Sequence, residues 1–243
     1  MSVFQRLQER YLNEGGQRLT SDQLVRQIEE RTKEAEQETS ARIFRENQMQ
    51  KIKNATGRSG IGERHRHCTF DNYEISSELQ SQVWQQARLY SHATSERAGF
   101  IFHGSPGTGK NHLAAAIAKK FILDNKSALI ITISELIETI NDTYNKRDLS
   151  ERDLIQRFSQ VGLLVLDEVG RNAGVRQERV ERERSIIDEI VDRRSKLMKP
   201  TGFLTNLSLS AFQNHVGYRV VDRISEDRPI ICEFNWTSHR SKR

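Results

Sequence analysis

The chain has 243 residues, and its 38 Lys and Arg against 33 Asp and Glu give a net charge of +5 at pH 7. That length suits one sizeable domain with an appendage. The longest apolar runs, such as residues 128–131, are far shorter than the roughly 20 residues that cross a bilayer. Residues 1–6 lack the apolar core of a signal peptide, and Cys68 and Cys232 match no disulfide or metal spacing. We therefore expect a cytoplasmic protein with no membrane contact.

The N-terminal part of the chain predicts a small helical segment over residues 1–53. Phe4, Leu7 and Tyr11 share one helical face, whereas residues 29–42 combine polar side chains with alanines, as in a solvated helix. The segment either packs on the main domain or binds a partner. We favour partner binding through Phe4, Leu7 and Tyr11, because this apolar face would otherwise be exposed to water.

Residues 54–69 predict a basic hinge between this segment and a larger domain over residues 70–243. Three glycines interrupt the stretch, and residues 41–66 carry seven Lys and Arg against two Glu. Such charge can contact the phosphates of a nucleic acid or simply solvate a linker. Both interpretations stay open at this point.

From residue 70 onward, apolar strands alternate with helices. Strands are predicted over residues 100–103, 128–133, 162–166, 202–205 and 229–234. Helices are predicted over residues 77–92, 112–123, 134–145, 150–160, 176–197 and, as two short pieces, 208–225. Continuous apolar strands separated by helices are typical of a parallel sheet that is covered on both faces. The sequence therefore predicts an α/β fold with a central parallel β-sheet flanked by helices.

The first strand leads into GSPGTGKN, residues 104–111, which matches the phosphate-binding pattern G-x-x-x-x-G-K-[ST] at every defined position but the last. In this motif the glycines turn backbone N–H groups toward a polyphosphate, and the next helix points its positive end at the anion. Lys110 can reach the β- and γ-phosphates, whereas an ordinary glycine-rich turn would not need it. The predicted ATP-binding residues are Gly104, Ser105, Pro106, Gly107, Thr108, Gly109, Lys110, Asn111 and His112.

Two carboxylates, Asp167 and Glu168, follow the apolar strand over residues 162–166. A carboxylate at the tip of such a strand lies at the ligand crevice of a parallel sheet. We expect Asp167 to bind Mg²⁺ together with Asn111, whose amide oxygen replaces the usual hydroxyl, and Glu168 to deprotonate the attacking water. Acidic turn residues are common by themselves, but the phosphate loop upstream favours catalysis. A water-activating carboxylate predicts ATP hydrolysis rather than transfer to a small molecule.

Asn206 and a pair of arginines complete the predicted site. Asn206 ends the strand over residues 202–205. In the strand order of additional-strand ATPases it would lie between the loop strand and the Asp167 strand, near the γ-phosphate, although a plain turn Asn is the alternative. Arg219 and Arg223 lie on one helical face, which can supply an arginine finger to a neighbouring subunit. A solvated or ion-paired face is the alternative.

Together these blocks resemble the AAA+ replicative helicase loaders of the DnaC type. The matching blocks are GTGKNHLAAA (107–116), LLVLDE (163–168), IVDRRS (190–195), PTGFLTN (200–206) and RVVDRI (219–224). Asn111, which is unusual in the general loop, also resembles the DnaC type. The last block favours Arg223 over Arg219 as the finger. The resemblance covers about residues 58–236 and is weak before residue 50. Many AAA+ proteins add a helical lid domain, for which we expect no room after the last strand.

The resemblance implies a loader that acts in the primosome at the initiation of DNA replication. Its N-terminal segment would dock on a hexameric DnaB-type helicase. Its ATPase domain would assemble as a spiral in the ATP state and bind single-stranded DNA, which stimulates hydrolysis, and hydrolysis would drive release. The family's DNA contacts fall here on residues 140–147, where Tyr144 can stack on a base beside the cations Lys146 and Arg147.

Three other functions fit part of the pattern. A transposase-helper ATPase of an insertion element has a similar core, but Asn111 disfavours it. A nucleotide-gated binding protein would carry the site and hydrolyse little. A metabolic P-loop kinase would leave the basic hinge unexplained, and the sequence does not indicate the substrate lid that such a kinase needs.

Overall fold

The computed structural model describes most of the chain. The described residues are 59–92, 98–142, 150–171, 177–226 and 228–239, with scattered positions between 22 and 40. The chain divides into two compact units, Met1–Gln50 and Lys51–Arg243. In the first unit, the described positions are helical and exposed. No helix in the described ranges is long and apolar enough to span a membrane.

The second unit is built on a sheet of five strands. They are β1 (Phe100–Gly104), β2 (Ala128–Thr132), β3 (Leu163–Val169), β4 (Thr201–Thr205) and β5 (Ile230–Phe234). Their order across the sheet is β2-β3-β4-β1-β5, and every pair runs parallel. The predicted parallel sheet is confirmed. So is the position of β4, which precedes Asn206, between the loop strand β1 and the Asp167 strand β3.

Seven α-helices among the described residues of the second unit surround this sheet. They are α1 (Glu78–His92), α2 (Lys110–Leu123), α3 (Ile133–Asn141), α4 (Glu151–Gln160), α5 (Gln177–Lys196), α6 (Leu209–Val216) and α7 (Tyr218–Glu226). Two predicted bounds were wrong by more than two residues. Helix α3 ends at Asn141 rather than at residue 145. Strand β3 continues to Val169 rather than ending at residue 166, because Val169 still pairs with β4.

Capping boxes determine where α3 and α4 begin. Thr132 Oγ1 accepts a hydrogen bond from Glu135 N at 3.2 Å, and the Glu135 carboxylate accepts one from Thr132 N at 3.1 Å. Ser150 and Asp153 repeat the arrangement at the start of α4. Each box satisfies N–H groups that have no partner within the helix. Because Thr132 pairs with Asp167 across the sheet, the first box turns the chain beside the predicted magnesium residues.

The apolar side chains of the strands pack on both faces of the sheet. In β1, Phe100 and Phe102 belong to one core cluster, which also holds Leu113 and Ile117 of α2. Ile101, between the two phenylalanines, belongs to a second cluster, which includes side chains of α3 to α7. Successive strand residues point to opposite faces, so a strand covered on both faces has to be apolar throughout.

Arg194, in the sequence block 190–195, is a fully buried residue of α5, with 0% of its surface exposed. Its guanidinium donates to Val161 O at 2.7 Å, to Ser159 O at 3.2 Å and to Thr201 Oγ1 at 3.0 Å. Burial lowers its pKa to about 9. Because uncharged oxygens of several segments satisfy its donors, Arg194 ties the end of α4 to the start of β4.

Candidate functional site

The glycines of the phosphate loop are required by its backbone. Gly104, Gly107 and Gly109 have φ angles of 114°, 75° and 98°. This left-handed region strains a residue that carries a Cβ atom. A Cβ atom on Gly109 would also lie 2.8 Å from the ring of Tyr73, and one on Gly104 would lie 2.7 Å from Phe234 O. The loop therefore adopts a path that only glycine allows at these three positions.

The loop is held by donors from its own residues and from both flanking segments. Within the loop, Thr108 Oγ1 donates to Ser105 O at 2.7 Å. Thr108 O accepts from Trp236 Nε1 at 3.0 Å and from Tyr73 Oη at 3.3 Å. Gly107 O accepts from His239 N at 3.0 Å. The segment before α1 and the segment after β5 thus fix the carbonyl groups of the loop, which pre-organises its backbone for an anion.

Lys110 lies at the start of α2 with its ammonium group folded against the loop. Nζ donates to Gly104 O at 2.8 Å and to Ser105 O at 2.7 Å, and the residue is only 6% exposed. Burial lowers the pKa of Lys110 to about 8, although the nearby Asp167 carboxylate favours the charged form. A buried cation whose donors reach only neutral carbonyls is poised to pair with a phosphate.

Asn111 and Asp167, the two residues predicted to bind Mg²⁺, are in direct contact, and their role toward the ion stays a prediction. Asn111 Nδ2 donates to Asp167 Oδ2 at 2.5 Å, and Asp167 Oδ1 accepts from Glu168 N at 2.7 Å. Burial raises the pKa of Asp167 above its usual range, against the effect of these two hydrogen bonds. The carboxylate and the amide thus form a compact pair of hard-ligand groups beside Lys110.

A β-bulge shapes the tip of β3. Leu166 pairs with Phe203 and Val169 pairs with Thr205, so β3 has one more residue than β4 between these pairs. Glu168 lies in this interval with a φ of 57°, which is unusual for a residue with a side chain. Bulges redirect side chains near active sites. The Glu168 side chain therefore departs from the regular alternation of the strand.

The Glu168 carboxylate is engaged by a neighbouring arginine. Arg171 Nη1 donates to Glu168 Oε2 at 2.6 Å, and Arg171 N donates to Glu168 O at 3.0 Å. The Glu168 side chain is 35% exposed and that of Arg171 is 67% exposed. An ion pair this exposed contributes little to stability. Its consequence is local, because it determines which way the carboxylate points.

One cleft of about 670 Å³ collects most of the predicted site. Such a volume is within the range of small-molecule sites. The predicted residues on its surface are Pro106, Gly107, Gly109, Lys110, Asn111, His112, Asp167, Glu168 and Asn206. The remaining loop residues, Gly104, Ser105 and Thr108, make the backbone contacts described above. The residues on its surface that were not predicted are Arg64, His65, Cys68, Asn72, Tyr73, Glu74, Thr205 and His239.

His112 connects the loop helix to the segment before α1. Its Nε2 lies 2.8 Å from Thr69 O and 3.1 Å from Asn72 Oδ1, and its ring meets the Tyr73 ring edge to face at 5.1 Å. Burial lowers the pKa of His112. Sequence reasoning missed Asn72 and Tyr73, because neither belongs to a motif and their approach to the loop is a tertiary contact.

The two candidate finger residues lie on α7, and neither lines the cleft. The Arg223 guanidinium forms an ion pair with Asp192 of α5, and 31% of its side chain is exposed. Arg219 is 81% exposed, with Nη1 4.0 Å from Asp188 Oδ2. The ion-paired alternative therefore describes Arg223 within this subunit, and the finger role of either residue stays a prediction.

Two sets of predicted residues lie outside the described residues. They are the helicase-contacting Phe4, Leu7 and Tyr11, and the DNA-contacting Tyr144, Lys146 and Arg147. Their roles therefore stay predictions.

The sheet order, the phosphate loop after β1 and the paired carboxylates at the tip of β3 define a P-loop nucleotide-binding protein of the AAA+ class. Over residues 17–232 the sequence matches the family described as IstB-like ATP binding protein. The chain belongs to this family and to the DnaC family of replicative helicase loaders, as its relatives show.

The replicative helicase loader DnaC of Escherichia coli strain K12 is 41% identical over 204 residues, which cover 84% of this chain and 81% of the relative. DnaC of Buchnera aphidicola subsp. Baizongia pistaciae is 40% identical over 206 residues, covering 84% and 82%. A crystal structure of the DnaC helicase loader has a TM-score of 0.60 and 23% identity, covering 70% of this chain and 99% of that chain. The structural likeness shows the shared fold.

Proposed function

We propose that this protein binds a hexameric DnaB-type helicase and assists its loading onto single-stranded DNA in the cytoplasm, with ATP hydrolysis driving release. The observation that carries the proposal is the 41% identity to a replicative helicase loader over 84% of the chain. The cleft supports it, because a phosphate loop, paired carboxylates and Asn206 are the groups that ATP hydrolysis needs.

The residues at the cleft fit ATP together with Mg²⁺. The loop backbone and the Lys110 ammonium would bind the phosphates, and Asp167 and Asn111 would hold the ion. The described residues contain no cluster of three or more His, Cys, Asp or Glu that could hold a metal. Mg²⁺ is usually held by one or two carboxylates plus substrate phosphates. When bound, the ion neutralises charge on the phosphates.

Glu168 is the proposed general base, and Asn206 the proposed contact to the γ-phosphate. The Glu168 carboxylate accepts a hydrogen bond from Arg171 in this structure. This contact engages Oε2, so Oε1 can take the proton of the attacking water while the ion pair persists. Asn206 follows β4, which lies between β1 and β3, and therefore faces the same cleft from the middle of the sheet.

The finger would act on the ATP of a neighbouring subunit in a spiral assembly. Arg223→Ala should spare ATP binding and reduce DNA-stimulated hydrolysis, because a finger is typically worth about 10³–10⁵ in rate. Mixing Arg223→Ala protein with Lys110→Ala protein should restore part of the activity that each lacks alone. Arg219→Ala is measured in the same way, since Arg219 is the more exposed of the two. No recovery with either arginine variant would exclude a finger on α7.

The N-terminal segment would bind the helicase, and residues 140–147 would bind DNA. Deleting residues 1–50 should abolish binding to a DnaB-type helicase while ATP binding survives.

Tyr144→Ala should weaken single-stranded DNA binding by about 1–3 kcal/mol, the typical contribution of a stacked base. Lys146 and Arg147 would add contacts to DNA phosphates. Loss of these contacts should reduce the salt dependence of the affinity for single-stranded DNA.

Co-purification tests the loader against the transposase-helper ATPase. The protein is incubated with an ATP analogue, single-stranded DNA and a DnaB-type helicase, and the complex is separated by size-exclusion chromatography. A ternary complex supports the loader. Hydrolysis of ATP without any binding to the helicase would contradict it.

A further inference from the structure

A buried carboxylate and a buried imidazole lie in contact behind the tip of β3. Glu183 of α5 is 0% exposed, and His215 of α6 is 7% exposed. Glu183 Oε1 lies 2.9 Å from His215 Nε2. Neither residue lines the nucleotide cleft, and neither belongs to the motifs of the site.

The same carboxylate oxygen holds the turn that follows Glu168. Gly170 N donates to Glu183 Oε1 at 3.2 Å. Gly170 has a φ of 78°, and a Cβ atom there would lie 2.3 Å from Leu207 Cδ1. The turn is therefore confined between Glu183 and Leu207, two residues after the proposed base.

The imidazole continues the connection to the helices that follow Asn206. His215 lies near the end of α6, and Arg184 donates to His215 O at 2.9 Å and to Asn214 O at 2.7 Å. After Gly217 the chain enters α7, which carries Arg219 and Arg223. Two consecutive residues of α5, Glu183 and Arg184, thus fix the end of α6, and only Glu183 also contacts the turn.

A second connection joins the end of β3 to the chain that leads into α6. Thr205 Oγ1 donates to Val169 O at 2.7 Å and accepts from Leu207 N at 3.1 Å. The bulged end of β3 and the chain leading into α6 are therefore fastened at two points.

A packing role alone does not account for a carboxylate at this position. Glu183 Oε2 has no hydrogen-bond partner among the described residues. Burying a polar oxygen without a partner is costly, and an apolar side chain of similar volume would avoid that cost. The Glu183 acceptor lies where it meets both the turn that follows Glu168 and the end of α6.

We propose that Glu183 and His215 are positioning residues for hydrolysis, which hold the Glu168 turn in register with α6 and, through it, with α7, the helix that carries Arg219 and Arg223. The proposal rests on the proposed ATP hydrolysis. In it, the buried pair is one of two connections between the turn that follows the base and the helices that lead to the arginine acting on the next subunit.

The test compares Glu183→Ala, Glu183→Gln and His215→Ala with the wild type. Glu183→Ala should lower kcat about 10- to 100-fold, because a small misplacement of a reacting group has effects of that size. KM and the affinity for a fluorescent ATP analogue should change by less than about twofold. Glu183→Gln keeps an oxygen acceptor for Gly170 N and should restore most of kcat.

Arg184→Ala is the matched control, because it removes the two hydrogen bonds to the end of α6 but leaves the Gly170 contact in place. It should lower the melting temperature with little effect on kcat. An equal loss of kcat in Arg184→Ala, or a wild-type kcat in both Glu183→Ala and His215→Ala, would overturn the proposal. If Glu183→Ala does not fold, His215→Ala decides it, and a wild-type kcat in that variant would overturn the proposal.

Amide hydrogen exchange provides a readout that does not depend on activity. In the wild type, the Gly170 amide should exchange slowly, and in Glu183→Ala it should exchange at least about tenfold faster while β1 stays protected. A wild type that binds ATP without hydrolysing it contradicts the proposed function, not the contact. Unchanged exchange at Gly170 in Glu183→Ala overturns the proposed positioning role.

Discussion

The two sides of the nucleotide cleft are built in different ways. The phosphate loop, residues 104–110, is one continuous piece of chain, and Lys110 bonds to carbonyl groups within it. The backbone of the carboxylate tip, residues 167–171, is shaped by a β-bulge and by the left-handed conformation of Glu168. It also donates a hydrogen bond to Glu183 of α5. The groups that would bind an anion thus come from one local stretch, which distant donors such as Tyr73 and Trp236 support from outside. The backbone that carries the proposed base, in contrast, depends directly on pairing with distant parts of the chain. We expect loop substitutions to change affinity and tip substitutions to change turnover.

Of the two sides of the cleft, the tip should give the larger effect. Glu168→Gln keeps the shape of the side chain but removes the base, so turnover should fall by about 10²–10⁴-fold, the usual contribution of a positioned base. ATP-analogue affinity should stay unchanged. Steady-state phosphate release and analogue titration measure the two quantities. Glu189→Gln, at a half-buried α5 position paired with Arg193, is the control. A Glu168→Gln protein that hydrolyses ATP at the control's rate would contradict the expected difference between the two sides of the cleft.

Lys110→Ala should produce the next largest effect. It should change nucleotide affinity, whereas Glu168→Gln changes turnover. Loss of a charged donor to phosphate costs about 1.5–3 kcal/mol, which weakens nucleotide binding by about 10- to 150-fold. Isothermal titration calorimetry measures the affinity directly. Lys120→Ala, on the same helix and paired with Asp124, should bind like the wild type. Wild-type affinity in Lys110→Ala would mean that the loop binds without its cation.

A pH dependence should single out the loop side. The pKa of Lys110 is about 8, so the ammonium loses its proton as pH rises through that value, and bound phosphate favours the protonated form. Binding then takes up a proton, and affinity should fall about tenfold between pH 7 and pH 9. Lys110→Arg stays charged over this range and should flatten the profile. A flat wild-type profile would show that the Lys110 charge does not contribute.

The smallest effect should come from the outer support of the loop. Tyr73→Phe removes the hydrogen bond to Thr108 O, and a neutral hydrogen bond contributes about 0.5–1.5 kcal/mol. Nucleotide affinity should fall by a few-fold, with turnover at saturation unchanged. Tyr90→Phe is the matched control, because it removes a hydrogen bond of the same kind to Ala98 O. Equal affinities in the two variants would mean that the loop keeps its shape without Tyr73.

The sequence was sufficient for the elements whose signals are local. The order of strands and helices followed from apolar runs, and the contact of Asn111 with Asp167 followed from the parallel sheet. Tyr73 and His239 were not found, because a single sequence does not show which distant segments meet. Nor did it indicate the left-handed Glu168, since glutamate is not a residue that usually marks such a backbone.

The candidate finger residues also show that a single sequence does not reveal contacts between distant residues. Helical spacing placed Arg219 and Arg223 on α7, but spacing alone does not distinguish a free arginine from a paired one. The ion pair of Arg223 depends on Asp192, which lies on a helix some thirty residues earlier in the chain. Charge partners across helices are tertiary information.

The hydrogen bond from Trp236 to the loop has a practical consequence. The chain contains two tryptophans, and the indole of Trp84 donates to Phe70 O rather than to the loop. The fluorescence emission of an indole depends on the hydrogen bond and the polarity at Nε1. A nucleotide that shifts Thr108 O should therefore change the emission of Trp236. With Trp84→Phe as background, Trp236 should therefore report nucleotide binding to the cleft of the unlabelled protein as a single fluorophore.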